Sequence, residues 1–198
     1  MRRFVVIGHD VPLDADFSLD DLPGSAGRLD ILCRCVTAGL CLSHGMRADV
    51  EVLLVLKDSL TIRIDSNRVR NLHPDERSTA ALIRTAIENR DRAIGHQEVE
   101  SSPGIFVTNR GLQAMVAECA ETSPIFILDE GGTPISEHTV TESATFFLAD
   151  HRGFSSTDRS QLQNTSAGTI RVGPRSLHAD HTITIVHNWL DTNGYTSY

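Results

Sequence analysis

The sequence predicts an α/β domain built on a largely parallel sheet. Short apolar runs recur along the chain, segments of helical periodicity alternate with them, and turns rich in Gly, Pro and Asp separate the two. A chain of 198 residues with 40% apolar side chains is long enough for one packed core, so 1–198 is expected to form a single domain.

Each element has its own signal. Residues 4–7 (FVVI) end at Gly8 and read as a buried first strand; the run is too short for a secretory leader. An acidic loop follows, punctuated by Pro12, Pro23 and Gly24. After Ser25, the residues Leu29, Leu32, Cys33, Val36 and Leu40 recur at three- and four-residue steps, a helix with Gly45 as its stop. VEVLLVL (50–56) is a strand, and 60–64 alternates as a second, more exposed one. In HPDERSTAALIRTAIENRDRAIG, Pro74 and acidic residues open a helix whose apolar face carries Ala80, Ile83, Ile87 and Ile94. Strand 104–108, helix 112–120 and strand 125–128 come next, the last bounded by Pro124 and the turn Asp129-Glu130-Gly131-Gly132. Strand 145–148, a short polar helix over about 157–164 and strand 169–172 follow. In the tail, Thr182-Ile183-Thr184-Ile185 alternates like a strand, whereas Ile183, Val186 and Leu190 step like a helix. The polar stop Asp191-Thr192-Asn193-Gly194 favours the helix.

Composition narrows the function. The formal net charge is −8 and Lys57 is the only lysine, the usage of a GC-rich, salt-adapted organism. That balance argues against a nonspecific nucleic-acid coat but leaves room for a local arginine patch. No stretch approaches the roughly 18–20 apolar residues that span a bilayer, and a cytoplasmic location is expected. Four cysteines make no disulfide framework here. Cys33-Arg34-Cys35 is spaced too tightly for a zinc knuckle, so buried free thiols are expected.

In open α/β sheets, ligands settle beyond the carboxyl ends of the strands. Three junctions fit: Phe126 through Gly132, Phe147 through Gly153, and Ile170-Arg171-Val172-Gly173-Pro174. Small residues there let backbone groups approach a flat ligand closely. No Gly-x-Gly-x-x-Gly or Gly-x-x-x-x-Gly-Lys follows a strand, which speaks against NAD and ATP. His178, Asp180, His181 and His187 resemble a ligand cluster, yet the His-Glu-x-x-His spacing is missing and no cysteine is near. The competing account is that they cap the final helix and tie its loop; no metal is expected. Arg28, Asp30 and Arg34 gather at the start of the first helix, where the plain alternative is a solvated face. Arg68, Arg70 and Arg77 form a second basic cluster suited to phosphate.

The strings DLPGSAGRLDILCRCV, HPDERSTAALIR, SSPGI, LADHRG and LHADHTITIVHNWLD together resemble the archaeal tRNA pseudouridine-54 N1-methyltransferase family, in the SPOUT class of S-adenosylmethionine (SAM) enzymes. The resemblance runs from Asp21 to Tyr198 and points to a haloarchaeal member. It implies a SPOUT-type α/β fold with a deep trefoil knot in the half over about 123–198, and a homodimer. It implies SAM bound by Leu128, Ala149, Gly153, Val172, Gly173, Pro174, Ser176, Leu177 and Thr182, with tRNA, through its T-loop, as partner. Arg28 and Asp30 are the catalytic candidates by analogy, with Asp150 or water as other proton acceptors. Alternatives at this point are N1-methylation of a pseudouridine in ribosomal RNA, or a non-catalytic knotted RNA-binding dimer.

Overall fold

The computed structural model describes all of residues 1–198. In chain order it begins with β1 (Arg2–Gly8), the single turn α1 (Leu22–Ser25) and α2 (Leu29–Leu40). A small hairpin of β2 (Cys41–Leu42) and β3 (Gly45–Met46) leads to β4 (Val50–Leu56), β5 (Leu60–Asp65) and α3 (Glu76–Glu88). Next come β6 (Val99–Ser102), β7 (Ile105–Thr108), α4 (Leu112–Ala120) and β8 (Ile125–Pro134). The chain closes with β9 (Thr145–Ala149), α5 (Ser156–Gln163), β10 (Ser166–Arg171) and α6 (Ala179–Asp191).

Eight strands form one sheet in the order β10-β8-β9-β1-β4-β5-β7-β6. From β10 to β4 every pairing is parallel; β5, β7 and β6 extend the sheet antiparallel. The parallel half explains the sequence of β1: with helices on both faces, Phe4, Val5 and Val6 are all fully buried, so the strand reads as an unbroken apolar run. One face packs the larger core, where α2, α3 and α6 meet the sheet; α4 and α5 cover the smaller core opposite.

α2 lies against the sheet, α3 and α6 together, so most of its circumference is buried. Cys33 and Cys35 are therefore both inside although they point different ways, and both are free. Burial pushes both thiols well above their ordinary pKa, leaving them inert.

Several boundaries differ from the sequence expectation. α2 stops at Leu40, not Gly45, because Cys41 turns extended into the hairpin. Pro74 precedes α3, and the Asp75 carboxylate caps the helix by accepting from the Ser78 N–H at 2.8 Å. α3 ends at Glu88, so Ile94 lies beyond a 3-10 turn (Arg90–Arg92) and is 76% exposed rather than part of the apolar face. β6 is a polar strand at the sheet edge that periodicity does not reveal. β8 also outruns the predicted 125–128. It leaves its ladder with β10 after Ile127 and rejoins at Thr133, so the expected turn at 129–132 is an excursion within one strand. Gly132 permits that return: a Cβ there would meet the Thr169 carbonyl oxygen at 2.6 Å. The tail is helical over Ala179–Asp191, and no helix is long and apolar enough to cross a membrane.

α6 is fastened at its far end by His187. Its ring packs edge-on against Phe4, Nε2–H donates to the Gly39 carbonyl at 3.0 Å, and Nδ1 accepts from Arg2 at 2.5 Å. Burial, with the positive charges of Arg47 and Arg2, lowers its pKa from 6.5 to about 3. The unfolded chain thus binds a proton that the folded chain refuses, so this contribution is complete above pH 6.5 and is lost as pH falls toward 3. Urea unfolding between about pH 4.5 and 6.5 should show stability dropping by up to about 1.4 kcal/mol per pH unit. His187→Gln should flatten that slope; an unchanged slope would remove His187 as its source.

Candidate functional site

Parallel pairing brings the carboxyl ends of β1, β8, β9 and β10 out at one edge of the sheet. A cavity of about 620 Å³ opens there, within the range of roughly 300–1,000 Å³ common to ligand sites. Ile31, Leu128, Leu148 and Ile170 give it apolar surface. All three strand-end junctions singled out from the sequence meet in this one space. The first contributes Leu128, the second Ala149 and Gly153, and the third Val172, Gly173, Ser176 and Leu177, with Thr182 behind them on α6. Pro174 is exposed and does not line the cavity. The Thr182 hydroxyl donates to the His178 carbonyl at 3.2 Å, within the helix's own first turn.

The second junction is anchored by a residue that sequence reading passed over. His9, just past the end of β1, places Nδ1 2.9 Å from Asp150 and Nε2 2.9 Å from Asp158. The Asp150 carboxylate also accepts from the backbone N–H groups of His9 and Arg152, at 2.7 and 2.9 Å. Asp158 completes a capping box with Ser155 at the start of α5. Burial works against charge on His9, but hydrogen bonds and charge from Asp158 and Asp150 outweigh it and raise its pKa above 6.5. The signal was available: a histidine at the carboxyl end of a buried parallel strand stands where such sheets bind ligands.

Arg28 and Asp30 do different things. Arg28 adopts left-handed backbone (φ 63°) at the start of α2 and lines the cavity; Asp30 is buried behind it and does not. The Asp30 carboxylate takes both Nε and Nη2 of Arg28, at 3.0 and 3.1 Å, and Nη1 of Arg34 at 3.0 Å. Burial opposes its ionisation, but the hydrogen bonds from the two arginines prevail and hold its pKa below the usual carboxylate value. Nη1 of Arg28 has no partner within the chain. The pair is thus a fixed fork presenting one open donor edge.

The histidine cluster expected to stitch the last loop is looser than the sequence suggested. His178 sits at the N-cap of α6 with extended backbone and makes no side-chain cap. It stacks edge-on with an exposed His181, while Asp180 faces Arg34 at 4.0 Å. His187 lies far along the helix in the core, so the four do not converge; no group of three potential ligands is arranged to hold a metal. The basic cluster at Arg68, Arg70 and Arg77 is dispersed as well. Arg68 pairs with Glu100, Arg77 with Asp20, and Arg70 turns to the Val69 carbonyl.

Comparison with known proteins matches this architecture to a family. Residues 1–195 match the family described as SAM-dependent RNA methyltransferases. The tRNA (pseudouridine(54)-N(1))-methyltransferase of Halobacterium salinarum is 51% identical over 198 residues, covering 100% of both chains. The protein of the same name from Haloferax volcanii is 48% identical, again over 100% of both. The chain belongs to this family. Its fold is also that of Archaeoglobus fulgidus Nep1, solved bound to S-adenosylhomocysteine, with a TM-score of 0.64 at 15% identity over 98% of this chain and 99% of that one. Likeness at that identity concerns the fold, an α/β arrangement with a mostly parallel sheet.

The His9 bridge carries a pH signature opposite to that of His187. Because its folded pKa is raised, its stabilisation is complete below pH 6.5 and is lost as pH rises through the folded value. His9→Asn should cost about 1.5–3 kcal/mol at pH 6, the range for charge-assisted hydrogen bonds, and less at pH 9. Hydrogen exchange should quicken at 150–153 in the variant. Equal cost at both pH values would show that the bridge is uncharged in the folded protein.

Proposed function

We propose that the chain transfers the methyl group of SAM to N1 of pseudouridine 54 in the T-loop of tRNA. What carries this reading is that full-length relatives of that name coincide with a cavity formed by the three strand-end loops and lined by Arg28. The residues present fit the cofactor. An apolar floor suits an adenine, and the small residues Ala149 and Gly173 admit close backbone approach. Arginines and carboxylates on the walls suit the charges of a zwitterionic sulfonium. Leu128, Ala149, Gly153, Val172, Gly173, Ser176, Leu177 and Thr182 are the residues we assign to holding it; Pro174, outside the lining, serves by shaping the loop.

When bound, SAM supplies an electrophilic methyl group. Pseudouridine, joined to ribose through carbon, has an N1–H that uridine lacks, so only it offers this nitrogen. The N1–H bond gives way to N1–CH3, S-adenosylhomocysteine leaves and the proton passes to solvent. Arg28 takes part by directing Nη1 toward the uracil oxygens, where it holds the charge that develops as N1 loses its proton. Asp30, fixed between two arginines and with a depressed pKa, is a weak proton acceptor. We assign it to positioning Arg28.

The same reading includes the finer features of the family resemblance. A knot over about 123–198 is supported by Ile135 and Ala144, from the β8–β9 connection, sharing one apolar cluster with Ile183 of α6. The returning helix therefore lies on the same face as that connection. A homodimer is supported by exposed Leu177, Tyr195 and Tyr198 in that half, and a cytoplasmic site of action by the tRNA substrate.

Incubation with labelled SAM tests the central reading. Transcripts carrying pseudouridine at position 54 should be methylated and those with uridine there should not; equal labelling would overturn the assignment. Arg28→Gln should lower kcat about 100-fold, and Asp30→Asn about 10-fold, since it misdirects Arg28 without removing it. A larger loss for Asp30→Asn would return the proton-accepting role to Asp30.

A further inference from the structure

Arginines outnumber carboxylates in the lining of the cavity, against the balance of the chain as a whole. Five arginines line it (Arg28, Arg152, Arg159, Arg171 and Arg175) against the three carboxylates of Asp129, Glu130 and Asp150. The chain's formal net charge is nevertheless −8. Three of the five are engaged: Arg28 with Asp30, Arg152 with Asp10 at 2.8 Å, and Arg159 with Asp129 at 2.8 Å. The side chains of Arg171 and Arg175 are exposed, have no carboxylate within 4.0 Å and donate no hydrogen bond within the chain.

Most exposed or half-exposed arginines elsewhere are drawn to acids, as Arg63 is to Glu98, Arg68 to Glu100, Arg77 to Asp20 and Arg110 to Glu118. Arg70, Arg84 and Arg92 also lack a carboxylate partner, but none of them lines the cavity. With acidic residues in excess, an arginine next to none of them keeps its full guanidinium fork for an external anion. The two are also placed together. Arg171 is the last residue of β10, and Arg175 follows it by four residues in the loop that returns toward α6. Four residues span at most about 14 Å, so both serve one stretch of ligand.

We propose that Arg171 and Arg175 clamp the RNA backbone at the cavity mouth, each taking a phosphodiester beside the nucleotide that enters. This rests on the methyltransferase reading above and deepens it by naming where the RNA is gripped. The acidic remainder of the surface repels the same backbone, which confines the contact to this rim.

Binding of a pseudouridine-containing tRNA transcript, measured over a series of KCl concentrations with S-adenosylhomocysteine present, tests the clamp. Each single-stranded phosphate contact contributes about 0.7 to the slope of log K against log salt. Replacing both arginines by Gln should therefore reduce the slope by about 1.4 and weaken binding at least about 10-fold at low salt, the scale of two lost contacts. Affinity for S-adenosylhomocysteine, read by calorimetry, should stay within about twofold, the expectation for groups that hold phosphate and not cofactor. Arg171→Lys with Arg175→Lys should keep the slope. Arg84→Gln with Arg92→Gln, an equal change of charge at positions that do not line the cavity, should keep it too.

A wild-type slope in the Gln variant, or an equal loss in the Arg84/Arg92 control, would overturn the clamp. If the Gln variant also loses S-adenosylhomocysteine, the Lys variant decides: cofactor affinity regained with a wild-type slope supports the clamp, and any other result overturns it. A wild-type protein that neither binds nor methylates the transcript overturns the methyltransferase reading and the clamp together. One that methylates normally while the Gln variant keeps its slope overturns the clamp alone.

Discussion

Parallel pairing of β1 with its neighbours is the constraint on which the rest depends. It forces helices onto both faces of the sheet, which is why β1 and β4 are buried along nearly their whole length. It also sends β1, β8, β9 and β10 toward the same edge. Loops separated by more than a hundred residues in sequence, from His9 to Leu177, thus line one space or brace its walls. Beyond the last ladder bonds, the strand ends need other partners for their backbone groups. Asp150 answers part of that need by accepting from the His9 and Arg152 N–H groups.

The charged groups follow a repeated arrangement. Asp30 bridges Arg28 and Arg34, Asp191 bridges Arg2 and Arg47, and Glu51 bridges Arg3 and Arg63. His9 inverts the pattern by bridging two carboxylates. A largely buried carboxylate such as Asp30 or Glu51, satisfied by two guanidinium groups, holds both in place, whereas losing one partner strands the others. The consequence at the site is rigidity. Arg28 is fixed before any substrate arrives, which favours positioning over proton transfer as the role of the Arg28–Asp30 pair.

Much of the fold was legible because its signals are local. VEVLLVL, the Leu112–Ala120 periodicity and the polar stop after Leu190 correspond to β4, α4 and α6. The misses have tertiary causes. Ile94 looked like a fourth residue of an apolar face, but the helix had already ended at Glu88. β6 is polar because it lies at an edge, and the β8 excursion depends on how Gly132 approaches β10, which no periodicity records. At the site, the three junctions were visible as small residues after strands. The His9 bridge was not, because its partners lie 141 and 149 residues away. Nor could sequence tell which arginines are free: Arg68 and Arg77 looked available, and folding gave each an acidic partner.

The central claim is that one cavity at the carboxyl edge of the parallel strands is the methyl-transfer site. A crystal structure of the chain grown with S-adenosylhomocysteine tests it most directly. Density for the ligand is expected between Leu128, Ala149 and the loop of Val172 to Leu177, with its sulfur facing Arg28. Density anywhere else, such as the polar cavity by Arg2, Arg47 and Asp191 at the opposite end of the sheet, would contradict it.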